Sequence, residues 1–75
     1  MSNAVKIVQR MKNNPRDWTI DDLRVVGKHF NLKWRQHGTS HVVFINAAGS
    51  VAPVPAASPI LPVYVKNFLK LLDLD

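Results

Sequence analysis

Cysteine is absent from the 75 residues. That removes disulfides, thiolate nucleophiles and cysteine-based zinc sites, and it agrees with a reducing compartment. Glutamate is absent as well. The five acidic residues are all aspartates, set against ten lysines and arginines. A net charge of +5 on so short a chain favours an anionic partner, either nucleic acid or an acidic protein. No cationic start leads into a long apolar run, so neither a signal peptide nor a membrane span is expected, and the expected location is the cytoplasm.

A chain of 75 residues is expected to form one domain, 1–75, which buries only about 60% of the surface its unfolded form exposes. It has no room for a deep cleft between two lobes. Chemistry here must use few groups on a surface or shallow groove, with a substrate that brings much of its own binding area.

Within "NAVKIVQRMKN", residues 3–13, Ala4, Ile7, Val8 and Met11 recur at helical spacing, with Lys6, Arg10 and Lys12 on the other side; this predicts an amphipathic helix. Pro15 disfavours helix at Asn14 and ends it. Thr19 has the marks of an N-cap, with Asp22 three places on as a short capping-box partner. Trp18 and Leu23 stand at the staple positions around that cap. A second helix is expected over 20–30, with Leu23, Val26 and Phe30 as its apolar face and Gly27 allowing close approach. Asp21 and Asp22 lie at its positive end, Lys28 and His29 at its negative end. Asn31 can end it in a left-handed conformation.

The period then changes to two. "LKWRQH" (32–37) sets Leu32 and Trp34 against Lys33, Arg35 and His37. "HVVFIN" (41–46) is β-branched and aromatic, and "SVAPV" (50–54) resumes after the turn "NAAGS". Short connections predict an antiparallel meander. Pro53 cannot donate to a ladder, so the third strand is an edge or stops there. The middle strand is apolar on both faces, as in a strand covered on both sides or at an interface. Pro62 then opens a last helix, with Leu61, Val65, Phe68, Leu69 and Leu72 as its core stripe and Lys66, Asn67 and Lys70 outside; "DLD" ends the chain as a solvated tail. The order is ααβββα, an α+β class.

Three histidines carry the chemistry worth weighing. His29 sits at a helix C-terminus, where a capping or dipole role suffices. His37 and His41 flank the turn "GTS". Both can be hairpin residues with no task, and a metal site would need a carboxylate or a third imidazole that local sequence does not supply. The functional reading makes His41 an acid/base group, because imidazole titrates near neutrality. RNA brings its own nucleophile, the 2′-hydroxyl, so a transesterifying ribonuclease needs a base, positive charge at the phosphate and correct geometry, without metal or cofactor. Lys33, Arg35 and His37 share a strand face and can supply that charge. The amides of Gly38, Thr39 and Ser40 can cradle a phosphate if the turn forms a nest. Trp18 and Trp34 are read as core rather than as base-stacking platforms.

Order and spacing together carry a resemblance. A helix precedes "NNPRDWTIDDLRVVGKHFNLKWRQHGTSHVVF", with its "NP" step, second helix and glycine-containing "GTSH" hairpin; "VPA" then leads to "PVYVKNFLKLLD". Over about residues 4 to 73 the chain resembles the HicA (YcfA-like) mRNA interferase toxins. The resemblance implies a small fold like the double-stranded-RNA-binding domain, with helices packed on one face of a three-stranded antiparallel sheet. It implies ribosome-independent mRNA cleavage by a single histidine in the glycine-containing turn, which falls on His41, with Ser40 beside it. It also implies a HicB antitoxin partner that masks the toxin.

One stretch departs from that pattern. Many relatives carry a histidine or basic residues between "VPA" and the last helix, where this chain has the uncharged "AASPILP". Lys66, Lys70 and the basic residues of the first strand are then the cations that could compensate. The departure leaves room for a non-catalytic RNA-binding module of the same fold, or for a protein-interaction domain whose charge serves an acidic partner.

Overall fold

Helical spacing of apolar residues, a capped start at Thr19, a proline start at Pro62 and a switch to alternation produce six elements. They are α1 (Asn3–Asn13), α2 (Ile20–His29), β1 (Lys33–His37), β2 (His41–Ile45), β3 (Val51–Pro55) and α3 (Pro62–Leu71). The computed structural model describes residues 3–38, 40–56 and 59–72, with the backbone alone at Asn3 and His37. Thr39 of the expected nest, Ala57 and Ser58 of the neutral stretch, and the 73–75 tail lie outside the described residues.

The start of α2 is a complete capping box. The Thr19 hydroxyl accepts from the Asp22 amide at 3.3 Å, and the Asp22 carboxylate accepts from the Thr19 amide at 3.0 Å. The helix ends one residue earlier than expected, because Phe30 is its cap. Asn31 follows with φ 61°. The Leu32 amide donates back to Gly27 O at 2.8 Å and the Asn31 amide to Lys28 O at 3.3 Å. Those two bonds satisfy carbonyls that a helix end otherwise leaves free, and they turn the chain directly into β1.

The sheet is antiparallel in the order β1-β2-β3. Pro53 stands in mid-strand on an edge, and β3 continues past it to Pro55. Even-numbered strand residues face inward: Val42, Phe44, Ala52 and Val54 are buried in one cluster with Val8, Met11, Leu23, Val26, Val65 and Phe68. All three helices contribute to that cluster, so they cover one face of the sheet and leave the other open. Phe44 sits at its centre, edge-on to Phe68 with ring centroids 4.8 Å apart and tilted against Trp34 at 5.7 Å.

The stripe expected on α3 is corrected at its first residue. Leu61 is 61% exposed, while Ile60 is buried at 2%. The Ile60 amide donates to Trp18 O at 2.8 Å, which turns residue 60 inward and 61 outward before the helix begins. Leu71, not expected in the core, is also buried. Both tryptophans are half-buried against the core. Trp18 is further held by its indole N–H on Asn14 O at 2.7 Å and by the Arg10 guanidinium 5.6 Å above its ring.

Candidate nucleic-acid interface

With the helices on one side, side-chain alternation puts odd-numbered strand residues on the open face. The register aligns them in rows: Lys33, Ile45 and Val51; Arg35, Val43 and Pro53; and His41 with Pro55, the His37 backbone pairing opposite His41. Successive rows are two residues apart along a strand, about 7 Å. The face thus has a cationic side on β1, an apolar centre and far side, and His41 at the end nearest the β1–β2 turn.

The turn positions His41. Gly38 has φ +62°, a left-handed conformation that a side chain would strain. Ser40 is exposed, and its carbonyl accepts from the Ala56 amide at 2.8 Å. That bond ties the tip of the first hairpin to the end of β3, so His41 starts a central strand braced on both sides. His41 itself is exposed.

Lys33 and Arg35 are exposed as well. Among the described residues the ion pair is Arg24–Asp21, at 3.0 Å on α2. Asp22 is engaged in its cap. No described carboxylate therefore pairs with Lys33 or Arg35, and both charges face solvent on the side of the sheet that carries His41. Among the described residues no three His, Cys, Asp or Glu gather at one point.

The structure brings together some of the expected site residues and separates others. Lys33, Arg35 and His41 share the open face, and the His37 backbone is paired directly opposite His41. Gly38 and Ser40 border it. Lys66 and Lys70 do not join them: they are exposed on α3, whose Val65 and Phe68 pack into the core beneath the sheet. They belong to the helix layer.

No match is found. No family model, no curated protein and no solved structure corresponds significantly to this chain.

Sequence reasoning does not place Val43, Ile45 and Val51 on the open face, although a usable signal exists. Lys33, Arg35 and His37 mark the outer parity of β1. A three-residue turn pairing 37 with 41 passes that parity to the odd residues of β2.

Proposed function

We propose that this chain is a metal-independent endoribonuclease of the HicA kind, an mRNA interferase toxin that acts in the cytoplasm and is restrained by a HicB-like antitoxin. One observation carries the reading: the register sets exposed His41 on the same uncovered sheet face as Lys33 and Arg35, which no described carboxylate pairs. The toxin context and the antitoxin come from the resemblance in residue order.

The cationic side of the face binds phosphates, and the turn residues Gly38 and Ser40 border the scissile group. His41 takes the proton from a ribose 2′-hydroxyl. The 2′-oxygen bonds to phosphorus and the bond to the 5′-oxygen breaks. The 5′-oxygen takes a proton from solvent water, His41 returns its proton to solvent, and a 2′,3′-cyclic phosphate and a 5′-hydroxyl result. Lys33 and Arg35 stabilise charge that grows on the phosphate oxygens. General base catalysis of this kind is worth about 10²- to 10⁴-fold.

The test is purified protein with an mRNA fragment and a chelator, compared with His41→Ala. Cleavage should fall by about 10²-fold or more with the fold unchanged, because His41 is exposed. Cleavage that survives the substitution would exclude the assignment. A second reading, RNA binding without cleavage, is favoured by the uncharged 56–61 stretch. It predicts salt-sensitive RNA binding with no products at any protein level.

A further inference from the structure

The two edges of the sheet differ chemically, and the register shows how. The pairs Asn46–Ser50 and Ser40–Ala56 are hydrogen-bonded, at 3.0 and 2.8 Å, at the two ends of the β2–β3 ladder. Bonded and non-bonded pairs alternate along an antiparallel ladder. Ala52 and Val54 therefore face β2, and Val51, Pro53 and Pro55 face the free side. Two of the three outward positions on β3 are proline and have no N–H to offer, leaving Val51 as the outward donor along that strand.

The same alternation fixes β1. Even residues of β2 bond to β3, so its odd residues bond to Lys33, Arg35 and His37. Trp34 and Gln36 then turn both their N–H and C=O groups to the free side. No proline interrupts β1, and no described backbone group outside the ladder bonds to either residue. One edge is closed to strand addition and the other is open.

We propose that the free edge of β1 accepts an extended, acidic segment of a partner protein as a fourth strand. Backbone groups of Trp34 and Gln36 supply the main-chain bonds, as in strand-addition recognition generally. Lys33 and Arg35 select the partner. Their side chains lie on the open face beside the added strand, where carboxylates at alternate positions pair with them and like charges repel. A second copy of β1 is disfavoured on the same ground. Bonding Trp34 of one copy to Gln36 of the other sets Arg35 opposite Arg35, and bonding Trp34 to Trp34 sets Lys33 opposite Arg35. Edge lysines are a known device against self-pairing.

The edge borders the proposed cleavage face, so an acidic strand there also competes with RNA phosphates for Lys33 and Arg35. That consequence rests on the ribonuclease reading; the binding does not.

The test uses the full chain and three peptides: acetyl-Thr-Glu-Thr-Glu-Thr-Glu-Thr-amide, its lysine counterpart, and the acidic peptide N-methylated on alternate residues. Amide-resolved NMR should show saturable binding of the first peptide alone, with slowed hydrogen exchange at Trp34 and Gln36. Gln36→Ala keeps the main-chain donor and should bind normally. Gln36→Pro removes it and should weaken binding about fivefold to tenfold. His41→Ala should bind as the parent does, which separates this result from the fate of the ribonuclease reading. Unchanged exchange at Trp34 and Gln36, equal binding of the lysine or N-methylated peptide, or protection of these amides by oligouridylate instead would overturn the proposal.

Discussion

The side-chain amide of Asn46, on the β2–β3 turn, donates to the carbonyl of Leu71 at the end of α3, 3.2 Å away and 25 positions along the chain. The carboxamide oxygen of the same residue accepts from the Ser50 amide at 2.9 Å. One residue therefore closes a hairpin and caps a helix at once. Asn46→Ala loses both bonds and leaves the partly buried Leu71 carbonyl without its side-chain donor, so it should cost about 1–3 kcal/mol. Asn46→Asp keeps the turn acceptor, but it loses the cap and sets a negative charge at a helix C-terminus. Urea unfolding measures both; an Asn46→Ala midpoint equal to the parent's would contradict the dual role.

Gly27 tests how tightly α2 lies on the sheet. A methyl group there would meet Trp34 Cζ3 at 3.4 Å, Phe44 Cε1 at 3.5 Å and Leu32 Cβ at 3.6 Å. Those are ordinary contact distances, and glycine inside a helix is unfavourable by up to about 1 kcal/mol relative to alanine. Gly27→Ala should therefore match or exceed the parent in stability. Gly27→Val drives further atoms into the two rings and should lose about 1–3 kcal/mol. Thermal unfolding of the pair distinguishes room for one methyl from a fully closed contact.

The two layers predict different salt behaviour for different lysines. Each phosphate contact removed should flatten the plot of log affinity against log salt by about 0.7 for single-stranded RNA. Lys33→Ala and Arg35→Ala should each do so if RNA lies on the open face. Lys66→Ala and Lys70→Ala, on α3, should leave the slope nearly unchanged. Equal effects at all four positions would show that RNA wraps around the domain rather than binding one face.

The N-terminal cap of α2 offers a stability test away from any site. Thr19→Ala removes the oxygen that accepts from Asp22 and should cost about 1 kcal/mol. RNA affinity, where present, should not change, since the cap is not on the open face.

Much of this domain was legible in local residue chemistry. The boundaries of α1, the Thr19 cap, the left-handed Asn31 and the antiparallel order all follow from signals within a few positions of each other. The site was partly legible for the same reason: Lys33, Arg35 and His37 alternate along one strand, and a glycine turn sets His41 opposite the last of them. Leu61 shows where local reading fails. Spacing alone puts it on the apolar stripe of α3, but the bond from the Ile60 amide to Trp18 O, between residues 42 positions apart, turns Ile60 inward instead.

Sequence by itself determined which side chains share a strand face, because alternation is a property of the extended backbone. It did not determine which face of β2 would be covered. "HVVFI" is apolar at both parities after His41, so either set could fill a core. Tertiary packing decided it: Phe44 is placed to meet Phe68 and Trp34 at once, and burying that even-numbered set draws all three helices to one side. His41, Lys33 and Arg35 are left together in solvent as the consequence. Lys66 and Lys70, equally basic and equally exposed, stand on the helix layer because the helix that carries them must turn Val65 and Phe68 inward.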